Sequence, residues 1–195
     1  DYTDKDFVAL AALGIDRLDN NINLRVSADG RLWQQAHMPD GNGVFAVTLN
    51  IGCGTSGALP KRPAIKELVV AMVALYRKRA FRLHLSGAGF EAEVNAEFEI
   101  DFSASLAEHG LSCEVMDWSG QCSLSQLTGL LDASNLVISS DSGPYHMAVA
   151  LGVPTVCWFN FDTPPSYHRQ HGVATLIRPT AQEFVAAVNQ VLELA

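Results

Sequence analysis

Val44-Phe45-Ala46-Val47-Thr48-Leu49-Asn50, then Ile51-Gly52-Cys53-Gly54-Thr55-Ser56-Gly57, then a run from Ala64 to Lys78 behind Pro63, is the stretch that decides the fold. Its first part is apolar and strand-sized, its second a glycine-rich loop. The third part has helical period. Ile65, Leu68, Val69, Met72, Leu75 and Tyr76 fall on one face, and Pro63 suits a first helical position. Strand, loop and helix in that order make the opening unit of a parallel α/β sheet.

The alternation continues downstream. The pattern predicts strand Phe81–Ser86, a helical region Glu91–Glu108, strand Cys113–Met116, helix Leu124–Ala133 and strand Leu136–Ser139. Helix Pro144–Leu151, strands Thr155–Phe159 and Ala174–Ile177, and helix Ala181–Leu194 complete it. Short strands that are apolar throughout are expected where helices cover both faces of a parallel sheet. The fold class is therefore α/β, a Rossmann-like three-layer domain with a parallel sheet.

Upstream the signals are weaker. Thr3 to Leu13 reads as a short helix with Thr3 as N-cap and Gly14 as its stop. Ile22 to Met38 is open: Ile22, Leu24 and Val26 alternate like a strand, while Asp29-Gly30 either turns a hairpin or precedes a helix through Trp33. The breaker cluster Pro39-Asp40-Gly41-Asn42-Gly43 separates this part from the rest. Residues 1–43 are taken as a leading segment and 44–195 as the domain. The start at Asp1, without an initiator methionine, reads as a piece of a longer chain.

Composition bounds the function. Of 195 residues 48% are hydrophobic and 17% charged, enough for a sizeable core. The longest apolar runs are strand-sized, short of the roughly 20 residues of a membrane-spanning helix, so the chain reads as a soluble globular domain. A formal charge of −8 argues against a nucleic-acid surface. Any anionic ligand must be held locally. Cys53, Cys113, Cys122 and Cys157 show no paired C-x-x-C spacing, which fits reduced cytosolic thiols and no zinc site.

Ligands of such folds bind beyond the carboxyl ends of the strands. In the loop Asn50–Pro63, glycines let the backbone approach a phosphate, and Lys61 and Arg62 precede a helix start. It lacks the G-x-x-x-x-G-K-[ST] spacing of a P-loop, and the alternative is a surface loop with solvated cations. In Ser139-Ser140-Asp141-Ser142-Gly143-Pro144-Tyr145-His146 a buried strand runs straight into a helix. Ser142 and Gly143 would offer N–H groups to an anion, with His146 one turn on. The alternative is that Asp141 or Ser142 caps the helix and His146 merely packs. A serine nucleophile fits poorly, because Ser140 and Pro144 stand where G-x-S-x-G needs glycines. In Ser86–Glu93, Glu91 and Glu93 suit either ribose hydroxyls or a helix start.

Gly54-Thr55 with Lys61, Gly87-Ala88-Gly89, Gly120-Gln121-Cys122-Ser123-Leu124, Asp141 to Ala148 and Leu151-Gly152-Val153-Pro154 together resemble glycosyltransferase family 9, the heptosyltransferases. The resemblance spans about Val44 to Ala195. It implies the C-terminal, donor-binding half of a GT-B type glycosyltransferase, a cytoplasmic protein peripheral to the inner membrane. It places a donor nucleotide-sugar, expected to be ADP-heptose, against Thr55, Ser56, Lys61, Ser142 and Gly143. Asp141 and His146 would lie near sugar and phosphates, and Glu91 at the ribose. A carboxylate beside a diphosphate is repelled, so Asp141 must either pair with Lys61 or accept sugar hydroxyls.

The implied reaction is inverting transfer to a lipopolysaccharide core or related glycolipid acceptor. Its catalytic base would come from an N-terminal half absent here, with no cofactor or metal. Phe159-Asn160 stands where the family usually has Phe-Gly. The alternatives are a sugar-nucleotide epimerase half-domain and a non-catalytic nucleotide-binding module.

Overall fold

The computed structural model describes residues 11–12, 22–38, 43–54, 60–160, 168 and 171–193. The expected Thr3–Leu13 helix lies almost entirely outside them. Six strands, β1 (Ala46–Asn50), β2 (Arg82–Ser86), β3 (Val115–Asp117), β4 (Leu136–Ser140), β5 (Thr155–Phe159) and β6 (Val173–Ile177), form one sheet in the order β3-β2-β1-β4-β5-β6. Every pairing is parallel. The chain reverses its direction of travel between β1 and β4, and the crevice there is where such folds take ligands.

Among the described residues six α-helices cover the sheet: α1 (Ala28–His37), α2 (Ile65–Lys78), α3 (Ala92–Ala107), α4 (Leu124–Asp132), α5 (Gly143–Leu151) and α6 (Ala181–Glu193). The largest core lies under α2, α3 and α6, where Leu68, Met72, Phe98, Phe102, Phe184 and Val188 meet Leu49, Leu83 and Leu85 of the strands. On the opposite face α1, α4 and α5 pack through smaller clusters around Trp33, Leu130, Leu131 and Tyr145. Each Leu or Phe removed from water contributes about 2 kcal/mol, so the two covered faces stabilise the flat sheet that carries the site.

From Val44 onward the expected elements all occur, with ends shifted by at most two residues. Pro63 is not at the first helical position: Ala64 is the N-cap of α2, so Pro63 precedes the cap. The open segment resolves as extended chain through Ser27 followed by α1. Ser27 caps that helix, its side chain accepting from the Gly30 N–H. Asp29 sits in the first turn, where the helix dipole favours a carboxylate. Residues 22–38 are docked on the rest of the described chain. Leu24 N–H donates to Ala150 O at 2.8 Å, and Gly30 and Gly129 let α1 and α4 cross closely. A Cβ on Gly129 would fall 2.3 Å from Gly30 O.

Candidate functional site

Strands β1, β2 and β4 each end at the carboxyl edge in polar side chains: Asn50, Ser86, and Ser139-Ser140. Parallel register puts Asn50 beside both Ser86 and Ser139. The buried Asn50 amide donates to Gly52 O at 2.8 Å and to Ser142 Oγ at 3.0 Å, and accepts from Ser86 Oγ at 3.3 Å. Ser140 Oγ also donates to Gly52 O, at 2.5 Å. One side chain at the switch point thus joins the loops after β1, β2 and β4.

Above it lies a cleft of about 350 Å³. One wall is backbone and small polar groups, with Gly52, Gly54, Gly87, Ser142 and Gly143; the other is apolar, with Phe90, Trp118, Leu124 and Leu127. Phe90 and Leu124 are 69% and 76% exposed, apolar lips that a monomeric surface ordinarily hides. A mostly apolar cavity with a few convergent polar groups is the usual form of a small-molecule site. Cys53 and Cys122 also line it. Burial raises both thiols, Cys122 to about 11, so neither is a thiolate nucleophile at neutral pH.

Among the expected residues, Glu91, Ser142 and Gly143 line this cleft. Glu91 ties two loops together: Ala88 N–H donates to Oε2 at 2.8 Å and Gly54 N–H to Oε1 at 3.1 Å. A side chain on Gly52 would land on that carboxylate, with a Cβ 1.8 Å from Oε1. Glu93 instead lines a neighbouring cavity with Arg62 and Glu97. Thr55 and Ser56 lie outside the described residues.

Lys61 and Asp141 form an ion pair, Nζ to Oδ2 at 2.8 Å, with Asp141 buried and Lys61 37% exposed. Of the two arrangements open to Asp141, this is the pairing one. Helix α5 starts at Gly143 with Ser142 as N-cap residue, but the Ser142 side chain makes no cap hydrogen bond. Its hydroxyl is engaged by Asn50 and lies near Ser139 Oγ and Ser140 O. The ordinary capped helix is not what the chain builds here. Nor do these bonds build a nucleophile. Space over Gly143 is open, since a Cβ there would meet no atom within 4 Å.

His146 is turned away from the cleft lining towards His168, with Nδ1 and Nε2 2.9 Å apart. Burial lowers both imidazoles below the usual histidine value, and the neighbouring His168 lowers His146 further. A neutral pair of this kind shares one proton between the facing nitrogens. The Asn160 that replaces glycine holds the neighbouring turn, donating from Nδ2 to Pro60 O at 3.1 Å and accepting from Arg178 Nε at 3.0 Å.

Residues 100–188, from within α3 to within α6, match the sequence model of glycosyltransferase family 9 (heptosyltransferase). The match covers a little under half of the chain. It contains Asp141 to His146, while Lys61 and Glu91 lie before it. No curated protein matches the chain. Among solved structures, E. coli ADP-heptose lps heptosyltransferase II superposes with a TM-score of 0.70 at 20% identity, over 93% of this chain and 56% of that one. A glycosyl transferase family 9 protein from Veillonella parvula DSM 2008 gives 0.75 at 16% identity, over 96% and 59%. E. coli heptosyltransferase WaaC with ADP-2-deoxy-2-fluoro heptose gives 0.55 at 19% identity, over 94% and 52%. The described residues thus share the fold of one half of a GT-B glycosyltransferase, and the chain spans a little over half the length of these structures. Among the described residues no helix is long and apolar enough to cross a membrane.

Proposed function

We propose that the chain is the donor-binding half of an inverting glycosyltransferase, transferring heptose from ADP-heptose to a lipopolysaccharide core or related acceptor. The observation that supports this most is the start of α5: an uncapped helix N-terminus under open space, beside the Lys61 cation and across from an apolar wall. Helix-start N–H groups and a local cation suit a diphosphate in an otherwise acidic chain. The apolar wall suits a base, and the Glu91 carboxylate, with lone pairs beyond its two backbone bonds, suits ribose hydroxyls. That a WaaC structure of the same fold holds an ADP-heptose analogue supports the choice of donor.

In this reading residues 44–195 are the donor domain, and 1–43 lead in from an acceptor-binding half that supplies the base. The acceptor glycolipid is met at the inner membrane from the cytoplasm. The chain's own residues bind and orient the donor and stabilise the charge of the departing diphosphate, which is a large share of such catalysis. No metal or cofactor is required of them.

The test is a transfer assay with ADP-heptose and a heptose-free core acceptor. The 195-residue chain alone should show no transfer, and transfer should appear when the residues preceding Asp1 are restored. Turnover by the chain alone contradicts the half-enzyme reading. An epimer formed without any acceptor replaces it with the epimerase alternative.

A further inference from the structure

His84 occupies the middle of β2, wholly buried between Leu83 and Leu85, where a parallel-sheet strand ordinarily carries an aliphatic side chain. Its Nε2 has no hydrogen-bond partner among the described residues, and an unpartnered buried polar atom costs stability. What the imidazole does is accept. Trp118 Nε1–H donates to His84 Nδ1 at 3.1 Å, with the two rings stacked at 15° and 6.5 Å. An indole N–H is only a donor, so Nδ1 carries the lone pair and the proton sits on Nε2. Burial, with help from Arg82, holds His84 down at about 4, so this neutral form persists at neutral pH.

Trp118 is also held from the leading segment. Trp33 of α1 presents its ring edge-on at 4.9 Å and 75°, and His37, stacked on Trp33 at 4.6 Å, lies edge-on at 5.5 Å. The turn that carries the indole is fixed too, since Asp117 Oδ1 accepts from Ser119 N–H and Oγ–H at 2.9 and 2.6 Å. With its N–H spent on His84, Trp118 offers the cleft only carbon.

We infer that His84 is a positioning residue for the nucleotide base: it acts through Trp118, fixing the indole as a stacking wall of the cleft, with Trp33 of α1 as the second support. The inference rests on the nucleotide reading of the cleft. It implies that base affinity and phosphate affinity separate, because Ser142, Gly143 and Lys61 stand on other elements. It also makes α1 part of the site.

The experiment titrates the chain with ADP and, separately, with inorganic pyrophosphate, following the three indole N–H resonances by NMR. His84→Leu should lose the hydrogen-bonded Trp118 signal and weaken ADP about tenfold, the low end of base-stacking effects, with pyrophosphate unchanged. His84→Gln, whose side-chain oxygen can accept the same N–H, should restore much of the loss. Trp33→Ala removes the second support while leaving His84 in place, and should shift the Trp118 signal and weaken ADP in the same selective way. Unchanged ADP affinity in both His84→Leu and Trp33→Ala, or equal loss of ADP and pyrophosphate, overturns the inference while leaving the nucleotide reading intact. A parent chain that binds neither ligand overturns both.

Discussion

Gly143→Val abolishes ADP binding while the chain still folds. The residue is the first of α5 and lines the cleft, and nothing stands within 4 Å of a Cβ placed there, so the added methyls project into the space assigned to the diphosphate. Glycine is needed for close backbone approach to an anion, and its φ is not in the left-handed region, so no strain of that kind follows from substitution. One structural cost is expected. Pro144 follows directly, and a residue with a Cβ before proline resists the helical region, a penalty on the order of 1 kcal/mol. Thermal melting should therefore drop by a few degrees and calorimetry with ADP should lose its heat entirely. Gly143→Ala, with the same proline penalty but less bulk, should melt alike and bind measurably. If both variants bind ADP as the parent does, the diphosphate is not at the start of α5.

Lys61→Met has two separable consequences. The buried Asp141 carboxylate loses its partner at 2.8 Å. Breaking a fully buried pair costs about 3–5 kcal/mol, but Lys61 is over one-third exposed and water can reach the gap, so about 1–2 kcal/mol is the fair expectation. A diphosphate also loses its local cation. Adding Asp141→Asn removes the stranded charge, and the double variant should recover most of the melting temperature. It should not recover diphosphate affinity, expected to stay down by about tenfold or more, since charge-assisted bonds contribute about 1.5–3 kcal/mol. The two effects then have different signatures, one repaired by neutralising Asp141 and the other not. Recovery of ADP binding in the double variant would show that Lys61 serves only to balance Asp141.

The fold was legible because it rests on period and punctuation. Leu68, Val69, Met72 and Leu75 lie on the buried face of α2 as the 3.6-residue repeat requires, and the apolar strands end where glycines and hydroxyls begin. The run from Ile22 to Met38 was not, because its alternation of Ile22, Leu24 and Val26 is short. What makes the rest helical is Ser27 as cap and the glycine crossing with α4, a contact about a hundred residues away in sequence. In the site, pairing with Lys61 was one of the two arrangements that charge left open to Asp141. The His84–Trp118 contact and the Asn50 network did not show, since the first joins β2 to the turn after β3 and the second joins β1, β2 and β4, through a strand order that no local pattern records. His146 was placed by helical spacing beside the anion turn, and the spacing gave no sign that its imidazole faces His168.

A single titration of the isotope-labelled chain with ADP decides whether the cleft at the ends of β1, β2 and β4 is a nucleotide-diphosphate site. This assignment predicts saturable amide shifts at Gly52, Gly87 and Gly143 and at the Trp118 indole, all lining one cleft, with one common dissociation constant. No saturable shift, or shifts confined to the far face around α3 and α6, would contradict it.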